Sequence, residues 1–152
     1  MLLIHACTAV LAALLIAVSV IDLRTQRIPN WLNAVLAACG LGANFVLGRD
    51  LPAALIGMFA GFVLVWFLAE LYFRLRGRDG LGRGDAKFMG AAGAWIGWMG
   101  LPFVLLLGSA LGIVFVAGLR IAGRPVTRTH MFAFGPFLAL GLFAVWAAYV
   151  YS

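Results

Sequence analysis

Six apolar runs alternate with short polar segments along this chain. The first extends from Leu2 to Ile21. About twenty residues at 1.5 Å rise cover about 30 Å, one hydrocarbon thickness. Asp22, Arg24 and Arg27 end it, and Pro29 and Asn30 open the second run, Trp31 to Leu47, where proline suits a first helical turn. A short turn, Gly48 to Asp50, leads to the third, Leu51 to Phe73. A polar loop with Arg74, Arg76, Arg78, Asp79, Arg83, Asp85 and Lys87 follows. The fourth run, Ala86 to Trp98, is short and rich in Gly and Ala, and Gly100 and Pro102 separate it from the fifth, Pro102 to Leu119. Arg120, Arg124, Arg128 and His130 mark the last loop before the sixth, Met131 to Tyr151. The pattern predicts one all-α, polytopic membrane domain over residues 1–152 with about six transmembrane helices.

Composition agrees with a lipid-embedded fold. Hydrophobic residues make up 65% and charged residues 11%, with mean hydropathy +1.10. A soluble domain carries roughly 25% charged residues, so this chain could not cover a water-facing surface. The net charge of +6 sits in loops, where it reads as membrane orientation rather than nucleic-acid binding. Loops one, three and five hold every Lys and Arg except Arg49, which predicts that they face the cytoplasm and that both termini face outward. The N-terminal run lacks a basic leader region and is too long for a signal peptide, so it reads as a retained span. Glycines four apart (Gly57 and Gly61, Gly93 and Gly97, Gly108 and Gly112) predict close helix–helix approach.

The chemistry must come from few residues. Cys7 and Cys39 lie in separate apolar runs, and His5 and His130 on opposite faces, so neither a zinc site nor any other metal centre is expected. The acids are Asp22, Asp50, Glu70, Asp79 and Asp85. Glu70 lies four before Arg74, the spacing of a helical ion pair. Asp50 reads as the cap of an outer turn, and Asp79 as a solvated loop residue. Asp22 and Asp85 differ, since each sits where a cytoplasmic loop meets a span. Two such helix ends can meet if their helices pack as neighbours. Two close carboxyls share a proton and can activate water, which is the arrangement of aspartic proteolysis. The competing reading makes both of them helix-boundary acids. Asp85 closes Gly82-Arg83-Gly84-Asp85, a GxGD motif whose glycines would let a substrate strand approach closely. Lys87 follows, as a membrane anchor or a substrate contact.

Three segments together resemble the type IV prepilin peptidases: Asp22-Leu23-Arg24-Thr25-Gln26-Arg27-Ile28-Pro29-Asn30, Gly82-Arg83-Gly84-Asp85-Ala86-Lys87, and Phe134-Gly135-Pro136-Phe137. Their order, spacing and membrane side agree with that family across nearly the whole chain. Ala133 stands where many members have proline. The resemblance implies an endopeptidase that needs no cofactor and removes the short leader of prepilin-like proteins, substrates with a leader and an apolar helix. It implies Asp22 and Asp85 as the catalytic pair. Gly82, Gly84, Lys87, Pro29, Asn30, Gly135 and Pro136 would bind substrate or shape the site. Large members carry a cytoplasmic insertion with paired Cys-x-x-Cys motifs. This chain has neither and looks like the short form associated with tight-adherence (Flp) pilus systems, from which no methylation of the product is expected. Alternatives are an archaeal-type preflagellin peptidase, a small transporter, for which only Asn44 and Ser109 offer polarity within the spans, or a non-catalytic scaffold.

Overall fold

The computed structural model describes residues 1–77, 83–123 and 133–151, and these are helical almost throughout. Five helices follow one another: α1 (Leu2–Thr25), α2 (Asn30–Val46), α3 (Leu51–Arg76), α4 (Arg83–Ile121) and α5 (Gly135–Tyr151). Among the described residues, three stretches are long and apolar enough to cross a membrane: Leu2–Thr25, Leu51–Leu75 and Gly84–Ile121. The helices therefore differ from the six separate spans expected. The fourth and fifth runs belong to one helical element, and α2 and α5 have only 17 residues each, about 25 Å at 1.5 Å per residue.

The division within α4 falls at Gly97, not at Gly100 and Pro102. Gly97 has φ 69° and ψ −179°, a conformation that only glycine adopts without strain. Pro102 lies near the start of the second arm, where its missing N–H interrupts no long helix. The two arms run in opposite directions, as their neighbours show. In the first arm, residues 83–96, Lys87 bonds Asn30 and Trp95 bonds Leu36, so this arm runs parallel to α2. In the second, residues 98–121, Val104 abuts Gly141, Gly108 abuts Leu138 and Gly112 abuts Phe134, antiparallel to α5. Both α2 and α5 end near one another, with Arg49 stacked over the rings of Trp146 and Tyr149. The chain thus turns back on itself at Gly97.

Small residues set the closest contacts. A Cβ on Gly57 would lie 2.6 Å from the Gly97 carbonyl carbon, and one on Gly93 would overlap the backbone of Gly57. Gly61 faces the backbone of Met89 in the same way. The expected glycine spacing therefore joins α3 to the first arm of α4, backbone against backbone, which maximises dispersion contact where lipid offers no hydrophobic drive. Bulky side chains point outward instead: Phe59 is 71% exposed and Phe67 58%, as suits a surface solvated by acyl chains.

The core centres on Trp95 and Trp146, both buried and packed edge-on at 5.1 Å. Each indole N–H has a partner, Leu36 O at 2.8 Å and Thr8 Oγ1 at 3.1 Å. Asn44 is buried beside them. Its amide nitrogen lies 2.8 Å from Ala94 O, 3.1 Å from Trp95 O and 3.0 Å from Gly40 O. The turn at Gly97 deprives the last carbonyls of the first arm of their usual i+4 donors, and Asn44 replaces them. Asn44, one of the two polar residues noted within the apolar runs, is thus occupied in closing a helix end. Asp50 caps α3 by accepting from Ala53 N at 3.1 Å, and Glu70 pairs with Arg74 at 2.9 Å. Cys7 and Cys39 are free thiols.

Candidate active site

Two helix boundaries differ from the apolar runs in a way that affects the acids. The helix of the first run continues to Thr25, so Asp22 sits in the last turn of α1 and does not end it. The first arm of α4 begins at Arg83, ahead of the expected Ala86, so Asp85 occupies its first turn. An acid there is favoured by the N-terminal end of the helix dipole.

After Thr25 the chain leaves the helix through Gln26 in the left-handed conformation (φ 52°), whose N–H donates to Asp22 O at 2.8 Å. Pro29 is extended (φ −61°, ψ 141°) and serves as the N-cap position of α2. Its carbonyl accepts from Leu32 N and Asn33 N at 3.1 and 3.3 Å, and Asn30 is the first helical residue. Just before Pro29, Ile28 turns inward and is buried.

Asp22 is 5% exposed. Its Oδ2 accepts the N–H of Gly135 at 2.9 Å. Gly135 begins α5, and the preceding Phe134 carbonyl accepts from Phe137 N and Leu138 N at 3.1 and 3.2 Å. A carboxyl of α1 thus caps the N-terminus of α5, where free N–H groups and the dipole favour an anion. Pro136 follows in the first turn, where a proline costs no helical bond. The contact also explains the glycine: a Cβ at 135 would stand 2.5 Å from Asp22 Oδ2 and 3.0 Å from its Cγ.

The second segment reaches the same end of the bundle through α2. Lys87 Nζ donates to Asn30 Oδ1 at 2.6 Å, joining the two polar segments. Gly84 faces Ile28, and a Cβ there would meet Ile28 N at 3.6 Å, an ordinary contact. Packing against Ile28 therefore does not demand glycine at 84. Asp85 is half-buried next to it. Gly82 lies outside the described residues, as does Asp79.

One expectation about this pair changes. Among the described residues, α1 and α4 do not pack against each other directly; each packs against both α2 and α5. The ends of α1 and α4 that carry the two acids lie at one end of the bundle through these shared neighbours. Two features had no signal in the apolar pattern: the capping of α5 by Asp22, and the buried Asn33, whose carboxamide has no partner among the described residues. A polar amide inside an apolar run is the only hint that either Asn33 or Asn44 offered.

Comparison with known proteins places these residues in context. A family model described as the type IV leader peptidase family matches residues 9–117, which include Asp22 and Asp85. A prepilin leader peptidase/N-methyltransferase of Aeromonas salmonicida (strain A449) is 39% identical over 140 residues, 91% of this chain and 46% of the relative. Proteins of the same description from Burkholderia pseudomallei (strain 1026b) and Escherichia coli (strain K12) are each 40% identical, over 133 and 127 residues. These alignments cover 86% and 83% of this chain and 42% and 56% of the relatives. The chain spans about half the length of the curated relatives it matches. No solved structure matches it.

Proposed function

We propose that this chain, which belongs to the type IV leader peptidase family, is an aspartic endopeptidase that removes the short leader of prepilin-like proteins at the cytoplasmic membrane face. The observation that carries this reading is the placement of Asp22, a buried carboxyl held by the N–H of Gly135 at the bundle end where the Gly84-Asp85 segment begins. A buried carboxyl within a membrane protein is expensive, and such groups are retained for function.

Asp22 and Asp85 act as a pair sharing one proton. The ionised carboxylate takes a proton from water as its oxygen attacks the scissile carbonyl, and the protonated partner gives its proton to the carbonyl oxygen. Collapse of the tetrahedral species returns that proton and passes another to the leaving amine. Gly84, which packing leaves free to carry a side chain, keeps space beside Asp85 for the substrate backbone. Lys87 and Asn30 hold the two segments in register through their hydrogen bond. Gly82 belongs to the same segment, and Pro29 and Pro136 shape the helix ends that flank it.

The arrangement supports a six-pass topology, with the turn at Gly97 dividing α4 into two passes. Arg24, Arg27, Arg74, Lys87 and Arg120 lie at the end that carries Asp22, and Arg49 lies at the other. The bias of basic residues toward the cytoplasm then directs the site inward and residues 1 and 151 outward. The test is co-expression with a prepilin and a gel-mobility assay. Leader removal by the wild-type chain and none by Asp22→Asn is the expected result. Cleavage undiminished by that substitution would reject the reading.

A further inference from the structure

A groove of about 370 Å³ opens between α2 and α3 and is floored by α4. That volume falls within the range of small ligand pockets. Its walls are apolar, with Ala37 on α2, Phe59 and Phe62 on α3, and Gly90 on α4. Asn30 and Lys87, hydrogen-bonded to each other, form its polar end. The groove therefore continues from the segments that carry the candidate active site into the apolar part of the bundle.

One residue in the groove does not match its surroundings. Asn33 is 5% exposed, and neither Nδ2 nor Oδ1 has a hydrogen-bond partner among the described residues. A buried amide without partners is costly, so the groove suits an occupant that completes it. Acyl chains offer no hydrogen bond, and a lipid ester offers only acceptors. A residue of extended main chain offers its own N–H and C=O on the same side, which match the Oδ1 and Nδ2 of a carboxamide. An intact helix has both of these engaged internally. The occupant that fits is an apolar helix at the point where it unwinds.

We propose that this groove seats the apolar helix of the substrate where it unwinds toward the cleavage site, and that Asn33 hydrogen-bonds its freed main chain. The proposal rests on the peptidase reading and deepens it. Apolar side chains of the substrate lie against Ala37, Phe59 and Phe62, while the unwound stretch passes Asn33 toward Lys87 and Asn30. Asn33 is a positioning residue for the substrate and takes no part in the proton transfers.

The test uses the full chain in proteoliposomes with two synthetic prepilin-like peptides, one with leader and apolar helix and one ending just past the cleavage site. Asn33→Leu, which removes an unpartnered buried amide and so should not unfold the protein, is expected to raise KM for the long peptide about five- to tenfold, with kcat little changed. The short peptide should be cut equally by both proteins. An unchanged KM for the long peptide, or an equal rise for the short one, overturns the proposal. Independently, a photo-cross-linker at Ala37 in the Asp22→Asn chain should capture the long peptide. Capture of lipid alone overturns the proposal. Failure of the wild-type chain to cut either peptide would defeat the peptidase reading, while the cross-link, which needs no turnover, would still decide this one.

Discussion

Replacing Gly135 by alanine tests the link between Asp22 and α5 most directly. The added Cβ would stand 2.5 Å from Asp22 Oδ2 and 3.2 Å from Asp22 Cβ, whereas real Cβ atoms almost never come within 3.0 Å of a neighbour and seldom within 3.4 Å. The carboxyl or the start of α5 must therefore move by about 0.5–0.9 Å (3.0 or 3.4 less 2.5). Asp22 lies in a helix turn and α5 is packed along its length, so neither moves freely. Overpacking of this kind costs about 1–3 kcal/mol. The 2.9 Å bond from Gly135 N is stretched or turned as well, and bonds to charged groups contribute about 1.5–3 kcal/mol. For catalysis the displacement matters more than the stability, since a shift of about 1 Å in a reacting group can cost about a hundredfold in rate. Initial rates of leader removal by purified Gly135→Ala are thus expected to fall about ten- to a hundredfold. Thermal unfolding in detergent would show that the protein still folds. Gly118→Ala is the control, because a Cβ there meets nothing within 4 Å and alanine favours a helix interior. A Gly135→Ala rate within about twofold of wild type would refute the idea that this contact positions a catalytic carboxyl.

Asp22→Asn and Asp85→Asn are each expected to abolish leader removal without loss of membrane insertion, and the double variant should be no worse than either single one, because the two groups act as one unit; substantial turnover by either single variant would reject the pair. Cysteines introduced at Thr25 and Asp79 should be labelled only from the cytoplasm and one at Asp50 only from outside, and external labelling at Asp79 would invert the proposed orientation. Gly93→Leu should unfold the protein several degrees earlier than wild type, since any side chain at 93 overlaps the Gly57 backbone, whereas Gly42→Ala, which meets nothing within 4 Å, should leave the melting temperature nearly unchanged.

The apolar pattern was enough to establish helices and the location of Asp22 and Asp85 near helix ends. Those properties depend on each residue's own partition into lipid and on the need of every backbone group for an intrahelical bond, and both are local. Glycine spacing also showed which helix faces could approach closely, although not which helix would be met. Other features were decided only when the helices came together. The turn falls at Gly97 because α3 presses its Ala53 and Gly57 against that point and because Asn44, fifty residues upstream of Ala94, is placed to donate to the freed carbonyls. Asp22 is buried because α5 brings its first N–H to it from 113 residues away. α1 and α4 bring their acids to one end by each packing against α2 and α5. Registers of this kind follow from the shapes of facing side chains and from where broken backbone hydrogen bonds find new partners. Neither is a property of any single apolar run, so only the packed bundle could decide them.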